Sequence, residues 1–290
     1  MRIRKAVLPV AGLGTRVLPA SKVIPKEMLP LADTPTLQYI VEEAVAAGIE
    51  EVILVTSRSK RSIEDHFDAF PELEQALERK GKLKELEELR RVQQMARYTA
   101  VRQAEPRGLG HAVLCAKELV GDEPFIVMLG DILVAPETPC LPRMIEIYEQ
   151  HGGSVLALAP LPPEVIPTYG IAAVKELGQD ALRIEHLVEK PPLEEAPSDL
   201  GVLGRYILTP DIFTLLEQTQ PGAGGEIQVT DAIEMQARAH NCYGLRFRGT
   251  YYDTGTPLGL ITTSIAYALK RPDLASGLRD YMRQALHEEG

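Results

Sequence analysis

Long apolar runs separated by amphipathic stretches organise the first half of the chain. After Lys5, the run to Val10 (AVLPV) has no alternating polar position, so Lys5–Val10 reads as a strand covered on both faces, ending in a glycine-rich loop. Thr34-Pro35 predicts an N-cap and first helical position. Leu37, Ile40, Val41, Ala44 and Val45 then recur at helical spacing up to Gly48. Glu51–Thr56 predicts a second strand, Ser59 the cap of a helix reaching Phe67, and Tyr98–Gln103 a third strand. Leu109–Leu119 predicts a helix and Phe125–Leu129 a fourth strand, which stops at Gly130-Asp131. Strands joined through helices need right-handed crossovers, which predicts an α/β, doubly wound, mostly parallel, Rossmann-like sheet.

The rhythm changes at Ser154. Ser154–Ala159, Gly170–Lys175, Leu182–Glu189 and Val202–Leu208 are strand-like, and Gly178-Gln179-Asp180 predicts a hairpin between the second and third. Helices are predicted at Pro210–Glu217, Val229–Ala239 and Pro257–Leu269, and from about Ser276. Between the halves of the first region, Pro71–Arg97 is dense in charge with leucines interspersed. It reads as a solvated helical hairpin broken at Gly81 in preference to a partner-binding arm. Neither a repeat nor a Ser/Gly linker divides the chain, so residues 1–290 read as one domain.

Composition narrows the partners. The 290 residues carry 31 Lys and Arg against 41 Asp and Glu, a net charge of −10. That opposes a nucleic-acid partner, which needs a basic face, but not a small anionic ligand. At 45% apolar residues, disorder as the main state is excluded. The cysteines Cys115, Cys140 and Cys242 are odd in number and far apart, which fits neither a disulfide framework nor a zinc site but suits a reducing cytoplasm. No run approaches the ~18 apolar residues of a membrane span, and the apolar start is broken by Pro9. A cytoplasmic protein without membrane partners is expected.

The strongest local chemistry follows the first strand. In Ala11-Gly12-Leu-Gly14-Thr15-Arg16 the glycines let successive N–H groups approach phosphate oxygens. Val17 stands where a dinucleotide fingerprint needs its third glycine, which counts against a nicotinamide-dependent oxidoreductase, and the P-loop pattern is absent. Arg16 and Lys26, the latter held in Pro25-Lys-Glu-Met-Leu-Pro30, suit a triphosphate whose charge must be neutralised. Asp131 ends an apolar strand, where doubly wound folds place ligands. The six histidines, His66, His111, His151, His186, His240 and His287, have no metal-ligand spacing.

Gly12-Leu-Gly-Thr-Arg16 with Pro25-Lys-Glu-Met-Leu-Pro30 resembles the signature of sugar-1-phosphate nucleotidylyltransferases, and more narrowly the bacterial branch that joins UTP to glucose 1-phosphate. The resemblance continues in order through Val101-Arg-Gln103, Gly108-Leu-Gly-His-Ala112, Tyr169-Gly170, Val188-Glu-Lys-Pro191 and Gly204-Arg-Tyr206. It ends with Gly225-Glu-Ile-Gln228, Thr230-Asp-Ala232 and Asp253-Thr-Gly255, so it covers nearly the whole chain.

It implies Mg²⁺-dependent transfer of a uridylyl group from UTP to α-D-glucose 1-phosphate by a homo-oligomer, dimeric or tetrameric. By the same resemblance, Ala11, Gly12, Gly14, Thr15 and Arg16 hold the nucleotide, Gln103 and Gly108 meet the uracil, and Arg16 and Lys26 its phosphates. Asp131 binds the metal, with Asp253 as a second candidate. Tyr169, Gly170, Glu189, Lys190, Gly204 and Arg205 take the sugar phosphate. Residues 1–153 then form a nucleotide-binding half, 154–256 a sugar-binding half and 257–290 the C-terminal helices. Glu226 and Asp231 can instead cap the helix near Val229, the reading preferred for Asp231. Gly130 stands where many uridylyl-type relatives have proline, and its glycine, nearer the thymidylyl pattern, bears on base preference. The alternatives are thymidylyl or cytidylyl transfer to the same sugar phosphate, or a noncatalytic nucleotide-sugar sensor.

Overall fold

Successive residues of the apolar runs point to opposite faces of one sheet, and both faces are covered. Ala6, Leu8 and Val10 join one core with Leu37, Ile40 and Val41, whereas Val7 joins the other with Val113, Ile212 and Phe213. Val52 and Leu54 divide from Ile53 and Val55 in the same way. This two-sided burial, at roughly 1.5–3 kcal/mol for each large apolar side chain, is why the runs lack polar alternation.

A computed structural model gives the structure of residues 2–288. In chain order the strands are β1 (Lys5–Pro9), β2 (Pro30–Leu31), β3 (Thr34–Pro35), β4 (Glu51–Thr56), β5 (Arg97–Arg102), β6 (Phe125–Met128), β7 (Ile132–Val134), β8 (Ser154–Pro160), β9 (Gly170–Gly178), β10 (Ala181–Glu189), β11 (Leu200–Leu208), β12 (Cys242–Arg246) and β13 (Tyr251–Asp253). The helices are α1 (Thr36–Ala46), α2 (Arg61–Phe67), α3 (Pro71–Arg79), α4 (Leu83–Gln94), α5 (Leu109–Cys115), α6 (Lys117–Val120), α7 (Cys140–His151), α8 (Asp211–Gln218), α9 (Val229–Arg238), α10 (Pro257–Ala268) and α11 (Pro272–Glu288).

One nine-stranded sheet runs β5-β4-β1-β6-β11-β8-β12-β10-β9. Its first four strands are mutually parallel. Beyond β6 the direction reverses, because β11 is antiparallel to both β6 and β8, and β10 to both β12 and β9. The sheet is therefore mixed, not mostly parallel. The parallel character predicted for the whole belongs to the first region, where helical crossovers supply it.

Several boundaries differ from expectation. Thr34-Pro35 does not start a helix but pairs with Pro30–Leu31 in a short hairpin, and α1 begins at Thr36. Lys60, not Ser59, precedes α2. The helix predicted over Leu109–Leu119 divides at Ala116 into α5 and α6. The Gly178 hairpin forms, with Gln179 and Asp180 both at positive φ, 52° and 64°. The charged segment is a helical hairpin, α3 and α4, tied by Arg90 to Glu74 at 2.9 Å, and Gly81 between them has φ of 65°. Helix α7 and strand β12 carried no recognised signal.

Arg205 lies within β11 with no solvent exposure. Strand alternation turns Gly204 and Tyr206 to one face and Arg205 to the other, where it meets Glu43 of α1 at 2.8 Å and donates to the Ile132 carbonyl at 2.7 Å. Replacing Glu43 with Ala strands a buried guanidinium. We expect a loss of about 3–5 kcal/mol, read as a lower urea midpoint with an unchanged slope. The double variant Glu43→Leu/Arg205→Met should recover most of it.

Candidate functional site

Residues distant in sequence converge where the parallel strands end. After β1, Ala11, Gly12, Gly14 and Thr15 line a cavity of about 440 Å³ together with Gln103 and Gly108. Gly14 has φ of 66°, and a Cβ on Gly12 would meet no neighbour within 4 Å, so the loop backbone is bare toward the cavity. Gly108, at φ 97°, packs so closely on the Glu226–Ile227 backbone that a Cβ would come within 2.7 Å of Glu226 Cβ. Hydrogen bonds from Gly110 N to Ile227 O and from Ile227 N to Arg107 O, both 2.8 Å, fasten this wall.

A second cavity of about 250 Å³ adjoins the first, sharing Leu109 and Glu226. Arg16, Asp131, Tyr169, Gly170, Glu189, Lys190, Gly204 and Asp253 line it. The short β7–β13 ribbon sets Asp253 opposite Ile132, beside Asp131. The two carboxylates bracket Arg16, whose Nη2 lies 3.3 Å from Asp131 Oδ2 and whose Nη1 lies 4.0 Å from Asp253 Oδ2. Lys26 Nζ reaches Asp131 Oδ2 at 2.5 Å. Burial alone would raise the Asp131 carboxyl, but the charges of Lys26 and Arg16 and the Lys26 hydrogen bond hold it below the usual carboxylate range. Tyr169 donates to Asp253 Oδ2 at 3.4 Å, and burial and that carboxylate push its phenol upward, so it remains a donor.

On the opposite wall, Lys190 Nζ pairs with Glu189 Oε1 at 2.9 Å, and Glu189 Oε2 accepts from Thr230 at 2.6 Å. Lys190 adopts φ of 48°, unusual for a residue with a side chain, and its N–H is held by the Tyr169 carbonyl at 3.0 Å. Gly170 lies opposite Glu189 in the β9–β10 ladder.

The sequence expectations for Ala11, Gly12, Gly14, Thr15, Arg16, Gln103, Gly108, Asp131, Tyr169, Gly170, Glu189, Lys190, Gly204 and Asp253 thus fall on two joined cavities, with Lys26 reaching in through Asp131. Arg205 does not join them, because the sheet buries it on the other face. Gly130 lines neither cavity. A Cβ there would lie 2.8 Å from Glu27 Cγ, so packing dictates its glycine. Glu27 itself is buried against Lys60 at 2.7 Å. Asp231 sits in the first turn of α9 without capping it, since Gln228 occupies the cap position. A separate cavity of about 350 Å³, lined by Tyr39, Glu43, Cys140 and Tyr267 among others, holds none of the predicted residues.

The geometry has counterparts in known proteins. The nucleotidyl transferase family model matches residues 5–269. The chain belongs to the nucleotidyl transferase family. A UTP–glucose-1-phosphate uridylyltransferase of Bacillus subtilis is 48% identical over 288 residues, with 99% of each chain covered. A namesake from Streptococcus pneumoniae is also 48% identical, covering 98% of this chain and 96% of its own. Among solved structures, the UTP-bound UGPase from Acinetobacter baumannii has a TM-score of 0.89 at 43% identity, covering 97% of this chain and 99% of its own. A UDP-glucose pyrophosphorylase complexed with UDP-glucose has a TM-score of 0.84 at 42% identity, covering 93% and 100%.

Gly255 closes the Asp253-Thr-Gly255 segment and was assigned no role from sequence. A Cβ there would overlap Arg16 Nη2 and lie 2.9 Å from both Asp131 Oδ2 and Asp253 Oδ1. All three are side-chain ends, so Gly255→Ala should fold, with stability changed by under about 1 kcal/mol, while displacing the cluster. Nucleotidyl transfer should fall at least tenfold, measured beside a thermal melt; wild-type turnover would show that the cluster tolerates the methyl group.

Proposed function

We propose that the protein transfers a uridylyl group from UTP to α-D-glucose 1-phosphate, giving UDP-glucose and pyrophosphate. The observation that carries this reading is the pair of joined cavities, the second lined by Arg16 and Asp131 with Lys26 bonded to Asp131. One cavity has a bare backbone wall and an amide reader suited to a nucleotide; the other has carboxylates, a tyrosine and a lysine suited to a sugar phosphate. The relatives named above for UTP and glucose 1-phosphate support the same choice of substrates.

Both substrates are anions, so the chemical task is to overcome their repulsion and align a phosphate oxygen with the α-phosphorus. That oxygen is already ionised near neutral pH, and no general base is needed. Arg16 and Lys26 move from carboxylate partners to the triphosphate and stabilise the charge that develops on departing pyrophosphate. Lys190 holds the attacking phosphate, and its fixed backbone aims it. Glu189, steadied by Thr230, accepts from sugar hydroxyls, while Gly170 and Gly204 admit the ring close to the backbone.

Asp131 and Asp253 are the residues that would hold Mg²⁺. They offer hard oxygen donors without imidazole or thiolate, the chemistry of a cation that keeps water and substrate phosphates as its other ligands. Bound there, Mg²⁺ supplies phosphate charge neutralisation.

Pyrophosphate release with glucose 1-phosphate and Mg²⁺ is expected with UTP well ahead of dTTP, CTP, ATP and GTP. Dominance of dTTP would reassign the transferred group, and no release with any nucleotide would favour a noncatalytic sensor. Asp131→Asn should lower kcat by about 10²–10³-fold, the scale seen when one well-placed electrostatic group is removed, with the fold retained by circular dichroism.

A further inference from the structure

Gln103 emerges from β5 with its backbone N–H held by Thr56 O at 2.8 Å, and the residue is 7% exposed. Its Nε2 lies 3.1 Å from the Gly108 carbonyl and 3.0 Å from His111 Nδ1. A carbonyl oxygen can only accept, so the amide nitrogen, and not Oε1, must face Gly108. The second hydrogen of that nitrogen then points at Nδ1, which accepts it only when unprotonated. The ring proton is left on Nε2, 4.0 Å from Cys115 Sγ. Burial and then the Arg107 charge lower the His111 pKa, against the Glu105 charge and a hydrogen bond to the Glu105 backbone, which disfavours the doubly protonated ring. Both amide hydrogens are thus engaged. Among the described residues none donates to Gln103 Oε1, and Gln103 lines the 440 Å³ cavity.

We infer that His111 is a specificity-determining positioning residue, which accepts from Gln103 Nε2 and so presents Gln103 Oε1 to the base as an acceptor without a competing donor. This rests on the nucleotide cavity proposed above. The orientation suits a pyrimidine that carries a proton on N3, as uracil and thymine do. Cytosine has a lone pair at N3 and sets acceptor against acceptor. Leaving one such buried acceptor unmet costs enough for about tenfold discrimination or more. Without an acceptor at the His111 position the amide keeps the Gly108 carbonyl as its one remaining hold, and the selection against cytosine weakens.

The test is calorimetric titration of UTP and CTP, without sugar phosphate, into the wild-type chain, His111→Leu and His111→Asn. Asparagine can place Oδ1 where Nδ1 stood. The wild-type chain is expected to favour UTP at least tenfold, His111→Leu to lose most of that ratio, and His111→Asn to keep it. An unchanged ratio in a folded His111→Leu, or equal loss in both variants, would overturn the inference, as would equal wild-type affinity for UTP and CTP. Should His111→Leu fail to fold, the ¹⁵N shifts of His111 in the wild-type chain with UTP decide: a protonated Nδ1 overturns the assignment and an unprotonated one supports it. Normal base discrimination without any pyrophosphate release would count against the transferase reading while supporting this one.

Discussion

A guanidinium with no access to water ties the strands beside the two cavities to the helix behind them. Arg205 binds Glu43 on α1, the neighbouring Gly204 carbonyl and the Ile132 carbonyl, so one side chain joins the helix behind the sheet to two strands that frame the cavities. Ile132 immediately follows Asp131, and Gly204 lines the same cavity as Asp131. A buried charge with several satisfied partners tolerates little displacement, because any shift exposes an unmet donor. One face of the sheet therefore helps to fix the geometry of the cavities on the other.

On the other face Asp131 and Asp253 hold Arg16, and Asp131 also holds Lys26, which gathers both cations at the end of the parallel strands. Glu27 and Lys60 act one layer deeper. Their buried pair packs Glu27 against Gly130, setting the segment that carries Lys26 against the one that carries Asp131. Burial pushes the Glu27 carboxyl above its usual range even with Lys60 and Lys26 pulling it down, which marks how dry this support is.

The first region was legible because local patterns and topology agree there. Apolar runs of strand length, helical spacing and glycine-rich ends each encode a βαβ unit without help from distant residues. The antiparallel region was legible in its strands but not in its order, since β11 inserts between β6 and β8 on pairings that span long stretches of sequence. The same distance hides the meeting of Asp131 with Asp253, which needs the β7–β13 ribbon. Arg205 illustrates a different failure. Neighbouring positions in a strand face opposite ways, so Gly204 and Arg205 could not both line one cavity, and period-two alternation already contained that answer. The bond between His111 and Gln103 was not legible, because it depends on how the loop turns back on α5.

The order of the sheet ends in β5 and β9; β9 also meets β11 at Ile171, opposite Gly201, so among the described strands β5 is the margin without a second strand partner. β5 (RYTAVR) begins and ends in arginine, and Tyr98 donates to the Val92 carbonyl of α4, bringing the charged hairpin alongside. β9 carries Lys175 and Glu176 near its end and turns into β10 through Gly178. Any intruding chain would have to desolvate those charges before gaining a ladder. The hairpin of α3 and α4, which lines neither cavity, thus lies beside the β5 margin of the sheet.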